Sequence, residues 1–169
     1  MTKPYTILSL DLATSTGWCL IQDAQYRYSG LIPLPKHSEY PGLMFVKFLN
    51  WLQDYRGVDE IFFERVPRFE SRFSAEVYCG LLGVLHIFRL THDIRLTSIK
   101  SKTAKMIFTG NGNAEKTVVC KVAHWLGWQG GHPDTDINHD EAEAIAIAYS
   151  LLHKRNVELI FTTPEEKAT

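Results

Sequence analysis

The 169-residue sequence has only three cysteines, Cys19, Cys79 and Cys120, odd in number and without a CxxC pair. Neither a disulfide framework nor a thiolate zinc site is favoured, and a reducing cytoplasm is the expected compartment. Charge of one sign is also lacking, with 18 basic and 19 acidic residues and a formal net charge of −1. Any nucleic-acid partner must therefore be held by a local basic surface and not by the field of the whole molecule. Ser9, Asp11 and Thr14 to Thr16 interrupt the first apolar segment, so no signal-peptide or membrane-spanning run is expected there, and no membrane partner. No internal repeat or low-complexity linker is visible.

What is present suits one globular domain: 45% hydrophobic and 22% charged residues, enough to bury a core. We expect this domain over 1–155, followed by a tail over 156–169 that either adds a strand or frays. YTILSLDL, WCLIQD and YRYSGLIPL read as a three-strand meander. Phe45, Phe48, Leu49 and Leu52 have helical spacing within 39–56, and DEIFFERV reads as a fourth strand. A long helix is expected over Ser74 to His92, carrying Val77, Leu81, Leu82, Leu85 and Phe88. Ile94 to Ile99 reads as a fifth strand; helices over 101–108 and 114–126 flank the break TGNGN. Gly127 to Asn138 reads as a polar loop, and DEAEAIAIAYSLLHK as a helix whose alanines suit close packing on a sheet. The fold class is α/β, a five-stranded mixed sheet flanked by helices. Cys19 and Cys79 are expected in the core.

Four carboxylates are candidates for chemistry. Asp11 stands in an apolar strand, where a carboxylate is disfavoured unless paired; alone, it is equally a cap on the turn from Thr14 to Gly17. Glu64 closes IFFE in the same way, with a salt bridge to Arg65 as the plain alternative. Asp140 and Glu143 are three apart at a helix start and share a face, while Glu141 points elsewhere. Capping boxes of Asn138 with Glu141 or Asp140 with Glu143 explain the pair without chemistry. As a set the four are more telling, because buried carboxylates repel unless cations neutralise them. Hard divalent ions such as Mg²⁺, with Mn²⁺ able to substitute, take oxygen ligands; two of them about 4 Å apart serve phosphodiester hydrolysis without any nucleophilic side chain.

Basic residues fall where such a site wants them. Between Lys100 and Lys121 stand Lys100, Lys102, Lys105, Lys116 and Lys121 against the single acid Glu115. After Glu64 come Arg65, Arg68 and Arg72 interleaved with Phe69 and Phe73, a mixture suited to gripping phosphates and stacking a base. A solvated charged face is the alternative. GNGNAEKT approaches the phosphate-cradling pattern GxxxxGK[ST], but Glu115 replaces the glycine before Lys116 and a helical segment precedes it, so no nucleotide cofactor is expected. His139 is either structural or an aid to proton transfer beside Asp140.

The order LSLDLATSTGW, EIFFERV, KMIFTGNGNAEKTVV, DEAEAIAIA resembles the RuvC family of Holliday-junction resolvases over nearly the whole chain. The resemblance implies an RNase H-like fold and a metal-dependent crossover junction endodeoxyribonuclease. By it, Asp11, Glu64, Asp140 and Glu143 are catalytic and hold the metal, and Lys105 and Lys116 lie near DNA. Lys100, Lys102, Arg68, Phe69, Arg72 and Phe73 are the remaining DNA-binding candidates. The implied partners are branched DNA and a second copy of the chain, in a homodimer joined by the long helix after Glu64. Val77, Leu81, Leu85 and Phe88 either supply that interface or are buried against their own sheet. In a phage-encoded member the compartment would be the host cytoplasm. Two features depart from the family: Glu143 stands where aspartate is usual, and the loop VPRFESRF is atypical. The alternatives are an RNase H acting on RNA/DNA hybrids and a non-catalytic junction-binding protein.

Overall fold

The computed structural model describes residues 3–36, 41–130 and 139–161. Strands β1 (Thr6–Asp11), β2 (Thr16–Gln22) and β3 (Gln25–Ile32) form the antiparallel meander, and β4 (Glu60–Arg65) and β5 (Arg95–Lys100) add in parallel, giving the order β3-β2-β1-β4-β5. Asp23 and Ala24, at φ of 50° and 62°, make the two-residue turn between β2 and β3, as a tight hairpin requires. The sheet is mixed because the meander needs only short turns, whereas each parallel step needs a helical crossover.

Those crossovers are α1 (Pro41–Leu52), ending in a 3₁₀ turn at Gln53–Tyr55, and α2 (Arg72–Thr91). The Ser71 side chain caps α2 by accepting from the Ser74 backbone N–H at 3.1 Å. After β5 come α3 (Ser101–Thr109), α4 (Lys116–Trp125) and α5 (His139–His153). Gly110, in the left-handed region at φ 78°, ends α3 within the TGNGN break.

Alternation along the strands produces two cores. Ile7, Cys19, Ile21, Phe62 and Ile99 face α3, α4 and α5; Leu8, Leu10, Ile61 and Phe63 face α1 and α2. β1, central and covered on both faces, is accordingly an almost unbroken apolar run. Alanines 142, 144, 146 and 148 are buried and let α5 lie close to the sheet. The Ser9 hydroxyl on β1 bonds the Ala144 carbonyl at 2.8 Å, and the Ser150 hydroxyl bonds the Ala104 carbonyl at 2.9 Å, so α5 is tied to β1 and to α3.

Val77, Leu81, Leu85 and Phe88 are all buried on their own core, which decides between the two readings of that stripe. Cys79 is a correction: it is exposed, because it lies in the outward phase of α2, opposite the residues that pack inward. α2 is also long and apolar enough, by length and composition, to cross a membrane; here one face of it packs on the sheet. After α5, Ile160 bridges to Gln25 and Phe161 stacks on Tyr26 at 4.9 Å, so this stretch lies along the outer edge of β3. Asn138, and with it one proposed capping box, lies outside the described residues, as does most of the loop expected at 127–138.

Candidate active site

Asp11 ends β1, and Glu64 is one residue from the end of its parallel neighbour β4. In open α/β sheets the carboxyl ends of the strands are where ligands are received. α5 begins over these ends and adds Asp140 and Glu143 from its first two turns. One carboxylate oxygen from each of Asp11, Asp140 and Glu143 lies within 4.8 Å of the others. Glu64 stands outside that trio but adjoins it, since its charge acts on Asp11 and that of Glu143 acts on it.

The electrostatics follow from crowding acids where water is scarce. Burial, then the charges of Glu143, Glu64 and Asp140, push the Asp11 carboxyl well above the usual carboxylate range. Burial, and then the charge of Glu143, push Glu64 up to about 7, against the opposing pull of Lys105, Ser101 and Lys116. Two lysines offset the repulsion: Lys105 Nζ lies 3.0 Å from Glu143 Oε1, and Lys116 Nζ donates to Asp140 Oδ1 at 3.0 Å. Burial of Lys116 would lower its pKa, but the bond to Asp140 and the charges of Glu143, Asp140 and Asp11 outweigh that and raise it.

The turn after β1 is closed by Thr16, whose hydroxyl donates to the Ala13 carbonyl at 2.7 Å, while the Asp11 carboxylate joins the acid group. Arg65 forms no ion pair with Glu64, because neighbours on a strand point to opposite faces. Asp140 is bound by Lys116, and Glu143 by Lys105. Such a donor set, all oxygen and with four acids to two lysines, fits a hard divalent cation.

A cleft of about 390 Å³ opens over the acids; Asp11, Asp140, Glu143 and Lys116 line it, together with Arg68, Phe69 and Glu70. Of the basic and aromatic candidates, the structure thus brings Lys105, Lys116, Arg68 and Phe69 to the site. Arg72 is exposed and paired with Glu76 at 2.9 Å; Phe73 is exposed beside it. Lys100 and Lys102 are exposed, at the end of β5 and the start of α3, away from the cleft lining. His139 is buried at the first position of α5.

Three further residues support the site and its scaffold, and neither Tyr78 nor Glu60 is marked by the sequence. The Tyr78 hydroxyl donates to the Glu64 carbonyl at 2.9 Å and accepts from the Val66 N–H at 3.4 Å, with Phe69 against its ring at 5.4 Å. A tyrosine inside an apolar helical stripe gives no sign of this. Glu141 does point away from the trio, but into the protein, where it accepts from Ser29 and from Trp128 Nε1, the latter at 3.1 Å. Glu60, fully buried at the start of β4, takes both guanidinium nitrogens of Arg155 at 2.8 Å, with Thr97 and Tyr5 completing its shell. Paired in this way, it belongs to the scaffold.

No protein-family model matches the chain. The crossover junction endodeoxyribonuclease RuvC of Rickettsia massiliae is 27% identical over 166 residues, which span 89% of this chain and 98% of that one. Among solved structures, Thermus thermophilus RuvC in complex with a Holliday junction substrate superposes with a TM-score of 0.64 at 15% identity, covering 90% of this chain and 96% of that one. The yeast mitochondrial Holliday junction resolvase gives 0.62 at 15% identity, covering 89% and 81%. At such identities the structural matches show the fold, which is RNase H-like.

Proposed function

We infer that this chain is a RuvC-like resolvase, a divalent-metal-dependent endonuclease that hydrolyses phosphodiester bonds at four-way and other branched DNA junctions. One observation carries the reading: Asp11, Asp140 and Glu143 bring carboxylate oxygens within 4.8 Å of one another at the carboxyl ends of the strands, with Glu64 beside them. A partly buried cluster of this kind serves no packing purpose. The 27% identity to the Rickettsia enzyme, across 98% of its length, supports the same reading.

Asp11, Glu64, Asp140 and Glu143 would hold Mg²⁺, or Mn²⁺ in its place. When bound, such ions neutralise the carboxylates, activate water and stabilise the charge that develops on the leaving oxygen. Glu143, with its longer arm, reaches the group while held by Lys105, and Lys116 holds Asp140. The ammonium groups of Lys105 and Lys116, held beside these acids, would also lie within reach of the substrate backbone. Arg68 and Phe69, which also line the cleft, suit a phosphate and an unpaired base. Lys100, Lys102, Arg72 and Phe73 would meet DNA outside the cleft.

A homodimer would place two such sites on one junction. Its apolar face cannot be the buried stripe of α2; the outer stripe, with Ile87 and Leu90 64% and 66% exposed, supplies it instead. The three free cysteines suit a reducing compartment.

Asp11→Asn tests the site assignment. It removes one charge from the metal-holding set, so cutting of a junction should be lost while junction binding persists. Cutting at the parental rate would overturn the assignment. Offering a four-way junction and an RNA/DNA hybrid side by side separates a resolvase from an RNase H, which would cut the hybrid.

A further inference from the structure

Away from the acidic cleft, a second concavity of about 320 Å³ lies along β5, at the edge of the sheet, lined by Arg65, Ser98, Ile99, Lys100, Thr103 and Lys154. Four elements build it. Arg65 ends β4 and is in register with Lys100 at the end of β5, and Phe63 is in register with Ser98. Paired residues of parallel neighbours share a face, so Arg65, Lys100 and Ser98 lie on the side opposite Glu64. Thr103 comes from the first turn of α3, and Lys154 follows the end of α5.

The composition is one-sided. Among the described residues none of the three cations pairs with a carboxylate, whereas Lys105 and Lys116 are both engaged by acids. Like charges converging on one concavity repel one another, and an anion seated between them relieves that repulsion. A guanidinium, two ammonium groups and two hydroxyls, with no acid among them, match the spread charge and several acceptor oxygens of a phosphate.

We propose that this concavity binds a backbone phosphate of the DNA substrate, outside the cleft where cutting takes place. The proposal rests on the nuclease reading above. Arg65 directly follows Glu64, and β5 lies two strands from β1, roughly 10 Å at the usual strand spacing. That distance is on the order of three nucleotides of one DNA strand. A phosphate held here would fix the direction in which an arm leaves the cleft, a positioning contact without base readout.

The test compares the parent with the double variant Arg65→Ala/Lys154→Ala, using anisotropy of a labelled four-way junction in EDTA across a range of salt. The control, Lys47→Ala/Arg56→Ala, removes two exposed cations elsewhere. We expect the first variant to bind more weakly, with a log affinity versus log salt slope shallower by roughly 0.9 for each phosphate lost, and the control to match the parent. Parental affinity and slope in the first variant would overturn the proposal, as would an equal loss in the control, which would mark a general charge effect. A parent that binds no DNA would instead overturn the functional reading, and this site with it.

Discussion

Gly17 and Asp140 touch so closely that a Cβ built on Gly17 would lie 1.9 Å from the Asp140 carbonyl oxygen and 2.7 Å from the Glu141 nitrogen. Gly17 is also the cross-strand partner of Asp11. The residue opposite the strand carboxylate is therefore the one that admits the helix carrying the other two. Only glycine fits, and the reason is contact, not a special backbone angle.

Gly17→Ala should push the start of α5 away from β2. Overpacking at such a point costs about 1–3 kcal/mol, read by chemical denaturation. Cutting should fall further than stability does, on the order of 100-fold where the variant is still folded, because misplacing the acids by about 1 Å is enough. A folded variant that cuts like the parent would separate the contact from catalysis.

The raised carboxyls make the metal-free protein sensitive to pH. An acid whose folded pKa lies above its unfolded value binds more protons when folded, so stability falls as pH rises between the two values. For Glu64 that window runs from 4.5 to about 7. Denaturation in EDTA should show stability declining across it, less so in Glu64→Gln, and divalent metal should recover most of the loss near neutral pH. An identical slope in parent and variant would remove Glu64 from the cluster's electrostatics.

Tyr78→Phe deletes the hydroxyl that joins the Glu64 carbonyl to the Val66 N–H at the point where β4 gives way to the cleft wall. The expected loss is about 1 kcal/mol of stability. Turnover at saturating junction should drop while junction affinity holds, because the change loosens Glu64 and leaves the basic residues untouched. A drop in affinity alone would assign Tyr78 to DNA binding through Phe69.

Glu141→Ala would take the carboxylate acceptor from the Ser29 hydroxyl and leave the Trp128 indole N–H only the Ser29 oxygen, at 3.2 Å, a loss of about 1–3 kcal/mol. Glu141→Gln keeps an acceptor oxygen and should lose less. The chain has four tryptophans, of which Trp128, only 1% exposed, is the one that loses a partner, so the overall emission should shift to the red in the alanine variant and stay near the parental value in the glutamine variant.

Much of this arrangement is legible in the amino-acid order because it is periodic. Short apolar runs in TILSLD and EIFFER mark both strands, and the spacing of Asp140 and Glu143 marks one helix face. Contacts between distant segments leave no such trace. Nothing near Gly17 announces a helix that begins more than a hundred residues later. Glu60 reads as an ordinary polar strand start until Arg155, 95 residues on, closes over it. Cys79 was placed in the core on residue type alone, although the phase of α2, set by Val77, Leu81, Leu85 and Phe88, already turns it outward. Glu141 was assigned the correct direction, but the serine and tryptophan that receive it come from β3 and the stretch after α4.

The most direct measurement is cleavage of an end-labelled synthetic four-way junction beside a linear duplex of the same sequence, with Mg²⁺, Mn²⁺ or EDTA. The account predicts paired, symmetric nicks in the junction, present with either metal and absent in EDTA, and an intact duplex. Tight junction binding with no product under any metal, or equal cutting of the duplex, would contradict it.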